Sequence, residues 1–291
     1  MGCDMGLKKY GLPYQGSKNR IAEDIVDFLP QGKRLVDLFG GGGAISHCAC
    51  MTRKYESVLY NECVPLVAKA FQMAINGEFD NSFRWVSSEE FQELKDIDPF
   101  VAFCYSFGYA LHTYSHGEEQ EKLKKAMYYA KFENDWLLLH ELGYNYSNLK
   151  DLNKLDDNIT RVHRWDAYRR LLTLKQIGKQ KYCKVSVTCG GYLDYEYQEG
   201  DVVYCDPPYE NTRCDGYGES FDSQQFYDWV ASRPYQVFFS SYDITDKRFP
   251  VVWEKDLIET FSHERNARKE RIYSNREFTR ENCIKYNFTF G

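Results

Sequence analysis

The sequence is short of several features that define common classes of protein. No run of apolar residues approaches the length of a membrane-spanning helix, and no secretory signal precedes the first motif. Its 10 cysteines include no CxxC pair of the kind that binds zinc, and no internal repeat or low-complexity tract is visible. We therefore expect a cytoplasmic protein with reduced thiols, no membrane association and no metal site.

The chain lacks an excess of positive charge, since 37 lysines and arginines face 43 acids and the formal net charge is −6. The charge is unevenly distributed, because residues 161–184 contain eight lysines and arginines and one acid, Asp166. A local basic stripe on an acidic body is typical of a protein that contacts phosphate groups with one face only. Val162, Trp165 and Leu172 predict one buried helix face, which would leave the arginines exposed. A solvated helix face without a ligand is the alternative. The candidates for nucleic-acid contact are Arg161, Arg164, Arg169 and Arg170.

Apolar residues, by contrast, are sufficient for one full α/β domain, since they make up 43% of 291 residues. The first eighty residues alternate between helix and strand patterns. Residues 34–38 and 57–60 predict buried strands, and Ser17 is placed to cap the first helix. Another helix runs from Pro65 to near Gly77. This order predicts half of a doubly wound sheet with helices on both faces.

The middle of the chain, residues 84–180, loses the strand pattern and has mostly helical patterns. Strand patterns resume at residues 184–188, 202–205 and 237–240. We therefore predict an α/β fold in which residues 1–83 and 181–291 form a Rossmann-like catalytic domain. Residues 84–180 would be a mostly helical insertion into that domain.

Towards the end of the chain, Asp222 is placed to cap a helix, with Gln225 as its capping-box partner. Residues 264–281 mix basic with acidic side chains, Glu270 among them, which predicts a charged hairpin rather than a DNA-binding surface. Residues 283–290 alternate apolar with polar side chains and predict antiparallel strands.

The first motif that carries chemistry follows the strand at residues 34–38. Asp37 and Phe39 precede four glycines, Gly40-Gly41-Gly42-Gly43, and a helix begins directly after them. Glycine lets the backbone approach a ligand closely. Glu62 ends the next strand, where a carboxylate can accept both hydroxyls of a ribose. Because Asp37 would face a cation better than a pyrophosphate, the motif favours S-adenosylmethionine over a dinucleotide. A structural turn with a surface glutamate is the alternative.

The second motif is the tetrapeptide Asp206-Pro207-Pro208-Tyr209, which follows the hydrophobic strand at residues 202–205. The prolines fix φ and remove N–H donors, so rigid carbonyls point at the carboxyl end of the strand, where ligands bind in open α/β sheets. An amine can donate one hydrogen bond to Asp206 and another to the Pro207 carbonyl, while Tyr209 stacks on its ring. For a base in duplex DNA this requires flipping the base out of the stack. A Pro-Pro turn after a core strand is the alternative.

The order of these motifs resembles that of the Dam-type family of DNA adenine-N6 methyltransferases. That family opens with an aromatic-x-Gly-x-Lys segment, which Tyr14-Gln15-Gly16-Ser17-Lys18 matches. An acid-x-Phe-x-Gly-x-Gly loop, an acid after the second strand, a helical target-recognition insertion and the catalytic tetrapeptide follow in the same order here. The family usually has Asp where Glu62 stands.

The resemblance implies that S-adenosylmethionine is the cofactor and that Tyr14 and Phe39 flank its adenosyl group. It puts Lys18 near the methionine carboxylate and Asp37 near the ammonium. The cofactor-binding residues are then Tyr14, Lys18, Asp37, Phe39, Gly40, Gly41, Gly42, Glu62 and Asp206. The catalytic residues are Asp206, Pro207, Pro208 and Tyr209. Tyr192 is a candidate contact of the cofactor adenine.

The implied substrate is double-stranded DNA, methylated on N6 of a flipped-out adenine at a specific sequence. The implied enzyme is a bacterial or phage-encoded monomer or weak dimer. Two alternatives stay open, namely amino methylation of RNA or of a protein glutamine, and a non-catalytic DNA-binding protein that retains a methyltransferase shell. The target sequence depends on which side chains of residues 84–180 reach the DNA groove.

Overall fold

A computed structural model describes residues 10–148, 163–210, 221–257 and 268–278. These residues form seven strands of one sheet. The strands are β1 (Arg34–Asp37), β2 (Ser57–Asn61), β3 (Lys184–Thr188), β4 (Asp201–Cys205), β5 (Val237–Ser241), β6 (Val251–Leu257) and β7 (Arg268–Ser274). Their order across the sheet is β3-β2-β1-β4-β5-β7-β6. The first five strands are parallel to one another, and β7 runs antiparallel between β5 and β6.

Helices connect the strands and also make up the middle of the chain. In the described residues they are α1 (Ala22–Phe28), α2 (Ala44–Thr52), α3 (Pro65–Asn76), α4 (Ser88–Leu94), α5 (Pro99–Tyr105), α6 (Glu118–Tyr128), α7 (Leu137–Glu141), α8 (His163–Thr173), α9 (Lys175–Gly178) and α10 (Ser223–Ala231). The predicted α/β class and the strands and helices of the first eighty residues are therefore confirmed. None of these helices is both long and apolar enough to cross a membrane.

The order of strands reverses between β1 and β4, which lie side by side in the middle of the sheet. Asp37, the last residue of β1, pairs in register with Tyr204 of β4. Asp206 follows β4 directly, so the two acids leave the same edge of the sheet on neighbouring strands. In open α/β sheets ligands bind at such a switch point, outside the carboxyl ends of the strands.

The hydrophobic core continues from the sheet into the helical middle of the chain. Every residue of α5 is buried, and the largest core cluster joins α5 to α1, α2 and α3. Helices α6 and α7 instead share a small cluster of their own, made of Ala126, Met127, Ala130 and Leu139. The division of the chain at residues 84 and 180 stays a prediction.

Two local predictions differ from the structure. Ser17 accepts no hydrogen bond from a helix N–H, because a 3₁₀ turn at Lys18–Arg20 intervenes and α1 begins only at Ala22. The buried face of α8 is formed by Ala167, Tyr168 and Leu171, so the predicted face through Trp165 and Leu172 was wrong. The predicted cap is confirmed, because Asp222 accepts the N–H of Gln225 at 2.9 Å, while the side chain of Gln225 accepts the Tyr192 hydroxyl at 3.4 Å. The predicted strands at 283–290 lie outside the described residues.

Candidate active site

The loop after β1 brings bare backbone to the switch point. Gly41 and Gly43 have φ of +47° and +70°, values that side chains disfavour. A Cβ on Gly40 would lie 2.3 Å from the ring of Tyr60, and that ring is stacked on Phe71 at 4.0 Å. The loop is therefore restricted to glycine by its packing as well as by its backbone conformation, and its peptide groups are left uncovered by side chains of their own.

Glu62 holds this loop from the end of β2. One carboxylate oxygen accepts the N–H of Gly41 at 2.8 Å, and the other accepts the N–H of Val64 at 2.9 Å. The hydroxyl of Tyr60 donates to the Gly41 carbonyl at 2.7 Å. Glu62 is buried, and burial raises the pKa of its carboxyl. The thiol of Cys63 also donates to Oε1 at 3.5 Å, whereas Oε2 keeps a second lone pair with which it can accept from a ligand.

Two groups of aromatic rings lie beside the loop. The ring of Tyr14 would be 3.3 Å from a Cβ on Gly41, and it stacks on Phe103 with centroids 6.1 Å apart. Phe39 stacks on Tyr192 at 5.4 Å, and Phe221 meets Phe39 edge-on at 5.8 Å. The structure thus brings both rings predicted to flank a cofactor, and the candidate Tyr192, to the carboxyl end of β1.

Asp37 is a buried acid at the end of β1. Its carboxylate accepts a hydrogen bond from the Ser46 hydroxyl at 2.7 Å. Burial raises the pKa of Asp37 to about 7, although the hydrogen bonds from Ser46 lower it, and the nearby charges of Asp206 and Glu62 add smaller increases. An acid held in this way gains most from a cationic ligand, because a positive charge would favour its ionised form.

Asp206 is paired with Lys18, 188 residues away in sequence. The ammonium of Lys18 lies 2.7 Å from one carboxylate oxygen and 2.8 Å from the other. Burial alone would lower the pKa of Lys18, but the charges of Asp206 and Glu270 outweigh burial and raise it. The family resemblance predicts that Lys18 lies near the methionine carboxylate of the cofactor. In this structure it lies on the carboxylate of the catalytic tetrapeptide.

Tyr209 completes the tetrapeptide and joins it to β7, the antiparallel partner of β6. Its hydroxyl lies 3.1 Å from Asp206 and donates to Glu270 of β7. The ammonium of Lys18 lies 4.9 Å from the centre of the Tyr209 ring. Tyr242 meets the same ring edge-on at 4.8 Å. The Tyr209 ring is therefore fixed by contacts from three separate segments.

Glu270 was not identified as a site residue from the sequence, where it counted as one charge of a charged hairpin. The structure buries it, and burial raises the pKa of its carboxyl. A usable signal was present, because Glu270, Ile272 and Ser274 are spaced two apart and so share one face of a strand. An acid in line with a core isoleucine points inward.

The four arginines predicted to contact DNA have different surroundings. Arg164 donates to the Ser106 carbonyl at 3.1 Å, and burial lowers the pKa of its guanidinium. Arg170 donates to the Leu12 carbonyl at 2.8 Å. Arg169 is exposed, and Arg161 lies outside the described residues. Two of the four arginines, Arg164 and Arg170, therefore bond backbone carbonyls inside the protein, whereas Arg169 lies on the surface.

Comparison with known proteins adds one finding. The family model of D12 class N6 adenine-specific DNA methyltransferases matches residues 14–228, which is more than half of the chain. The matched range includes the glycine loop, Glu62, the helical middle of the chain and the tetrapeptide, and it ends before β5. A search of curated proteins found no match.

Proposed function

The chain belongs to the D12 class of N6 adenine-specific DNA methyltransferases, and we propose that Asp206 and Tyr209 hold the adenine while the loop after β1 holds the donor. As a member of this family it transfers a methyl group from S-adenosylmethionine to adenine in DNA. The observation that carries the assignment of residues is the juxtaposition of Asp37 and Asp206 at the switch point of the sheet.

The residues around the loop suit S-adenosylmethionine. Gly40 to Gly42 carry no side chains, so a ligand can approach their backbone closely, and the raised pKa of Asp37 suits an ammonium. Tyr14 and Phe39 provide rings for an adenosyl group, and Oε2 of Glu62 has a lone pair left for a ribose hydroxyl. When bound, the donor supplies an electrophilic methyl group on its sulfonium.

The tetrapeptide positions the nucleophile. Asp206 and the Pro207 carbonyl accept the two hydrogens of the adenine amine, which orients the nitrogen lone pair and increases its electron density. The prolines keep this carbonyl fixed, because their φ angles are restricted. Catalysis is then mainly positioning of one nitrogen. The new N–C bond would form as the bond between the methyl group and the sulfonium sulfur breaks, the thioether would leave, and the methylated nitrogen would release one proton to solvent.

The base reaches this site by leaving the DNA stack, because N6 of a paired adenine is inaccessible within a duplex. We propose that the flipped base stacks on the ring of Tyr209. Stacking between an aromatic side chain and a base is worth about 1–3 kcal/mol.

Recognition of double-stranded DNA is proposed for residues 84–180, with Arg169 as a phosphate contact. The assignment of Arg169 as a phosphate contact is supported by the exposure of its side chain on α8. The proposal extends to a monomeric or weakly dimeric enzyme acting on DNA in the cytoplasm of a bacterium or of a phage-infected cell. Sedimentation of the free protein and of its DNA complex tests the oligomeric part.

The test of the proposed site is transfer of a tritiated methyl group to unmethylated DNA, followed by nucleoside analysis. We expect label in N6-methyladenine and a loss of about 10²- to 10³-fold in Asp206→Asn, which keeps the shape but removes the charge. Asp166→Asn, an exposed acid on α8, is the matched control and should retain activity. Label in cytosine alone, or full activity of Asp206→Asn, would overturn the proposal. RNA offered as a competing acceptor should take up no label.

A further inference from the structure

In the proposed mechanism the adenine amine and Lys18 both bond the carboxylate of Asp206. Lys18 bonds both carboxylate oxygens, at 2.7 and 2.8 Å, while the adenine amine needs one of them. The side chain of Lys18 is only 11% exposed, so its ammonium cannot simply turn to water. A buried charge left without a partner is strongly destabilising. An amine that bonds Asp206 would therefore compete with Lys18 for its oxygens, and a second anion beside the ammonium would relieve that competition.

Glu270 is in the right place to be that anion. Its carboxylate oxygen Oε1 lies 3.8 Å from the ammonium of Lys18, slightly beyond hydrogen-bond distance. The same oxygen accepts the hydroxyl of Tyr209. Glu270 thus faces both residues that must adjust when a base arrives, and a shift of about one ångström by Lys18 would bring it into direct contact.

The charges in this cluster do not balance in the described residues. One ammonium, that of Lys18, faces two carboxylates, those of Asp206 and Glu270. Burial raises the pKa of Glu270, the charge of Lys18 lowers it, and that of Asp206 raises it. A buried second acid costs stability here, so its presence is better explained by function than by folding.

We propose that Glu270 is a positioning residue for methyl transfer. Its carboxylate bonds the ammonium of Lys18 when the adenine amine bonds Asp206, and it holds the ring of Tyr209 in place through the Tyr209 hydroxyl. Glu270 lies on β7, beyond residue 228 where the family match ends. The proposal rests on the role of Asp206 proposed above. If Glu270 acts in this way, the antiparallel pair of β6 and β7 is part of the active site as well as an edge of the sheet.

The test is Glu270→Gln, which removes the charge but keeps an oxygen that can accept the Tyr209 hydroxyl. We expect kcat to fall roughly 10- to 100-fold, because the amine and Lys18 would then compete for Asp206. The KM for S-adenosylmethionine should change little, and the melting temperature of the ligand-free protein should stay the same or rise. Glu254→Gln on β6 is the matched control, since Glu254 pairs with Lys269 on the surface of the same pair of strands at 2.7 Å.

An unchanged kcat in Glu270→Gln would overturn the proposal. So would a loss of kcat with a parallel drop in melting temperature, because that result indicates a structural role. Failure of wild-type protein to label adenine would instead overturn the proposed function.

A double-mutant cycle with Lys18→Met tests the same coupling without using activity. At pH 8, Glu270→Gln should raise the melting temperature more in the Lys18→Met background than in wild type, because two carboxylates then face each other with no ammonium. Equal shifts in the two backgrounds would overturn the proposed contact. Where residual activity is measurable, Glu270→Gln should cause no further loss of kcat in Lys18→Met.

Discussion

The guanidinium of Arg170 donates a hydrogen bond to the carbonyl of Leu12, 158 residues earlier in the chain, at 2.8 Å. The N–H of Leu12 in turn donates to the carbonyl of Gly42 at 2.6 Å. The neighbouring Gly11 N–H donates to the ring of His47 at 3.1 Å. Arg170, which belongs to the basic stripe at residues 161–184, thus supports the proposed cofactor loop indirectly, through the segment at Gly11 and Leu12.

The first prediction separates the roles of two adjacent arginines. Arg170→Ala should weaken S-adenosylmethionine binding and lower the melting temperature, because it leaves buried carbonyls unpaired at about 1–3 kcal/mol. Arg169→Ala should weaken DNA binding instead and reduce the salt dependence of log K by about one unit of slope. Calorimetry with the cofactor and anisotropy of labelled DNA at several salt concentrations measure the two effects.

Each variant is the control for the other. If Arg170→Ala reduced the salt slope while cofactor affinity stayed at the wild-type value, the guanidinium would be a phosphate contact and its internal bond incidental. If Arg169→Ala left DNA binding unchanged, the basic stripe would be a solvated face.

The second prediction concerns the glycine loop. Gly40→Ala should abolish measurable cofactor binding or weaken it at least tenfold, because its Cβ would overlap a Tyr60 ring that is already stacked on Phe71. Overpacking of this kind costs about 1–3 kcal/mol. Gly117→Ala is the control, since no atom lies within 4 Å of a Cβ there. Equal cofactor affinity in the two variants would contradict the assigned role of the loop.

The parts of the site that sequence predicted are those that lie on the chain next to a strand. Asp37 and the tetrapeptide follow short apolar runs, and a residue that ends a parallel strand must lie at one edge of the sheet. The glycine run and the acid ending β2 could be placed by the same argument. Their mutual positions follow from the order of the strands.

The parts that sequence missed depend on contacts between distant segments. Nothing in the spacing of Lys18 and Asp206 indicates that they pair, and nothing near Arg170 indicates the carbonyl of Leu12. Periodicity also misplaced the buried face of α8, because Trp165 is a large apolar residue on a partly exposed face while the small Ala167 is buried. Helical spacing identifies a face only when the side chains on it are all of one kind.

The third prediction tests the hydroxyl of Tyr209. Tyr209→Phe keeps the ring for stacking but removes the group that bonds Glu270 and approaches Asp206 at 3.1 Å. We expect kcat to fall about tenfold, as one lost hydrogen bond to a charged group would give, with the KM for DNA nearly unchanged. Tyr182→Phe, at an exposed tyrosine, should match wild type. A rise in KM at constant kcat would instead assign the hydroxyl to binding of the base.

The last prediction uses the buried acid at the end of β1. Burial raises the pKa of Asp37 from 3.8 to about 7. Between pH 3.8 and about 7, Asp37 of the native protein therefore keeps a proton that the unfolded chain has released. Asp37 therefore contributes stability below pH 3.8 that is lost as pH rises to about 7, and ligand-free Asp37→Asn should lack this loss.

Binding of a cation should show the opposite dependence, because it favours the ionised carboxyl. We expect the affinity for S-adenosylmethionine to rise up to tenfold per pH unit from pH 6 to about 7, with uptake of the ligand releasing a proton from Asp37. Calorimetry in two buffers of different ionisation enthalpy measures that proton. Asp37→Asn should bind more weakly and without this pH dependence, while melting at a higher temperature than wild type at pH 8. An identical pH slope in the two proteins would show that the ligand's cation does not contact Asp37.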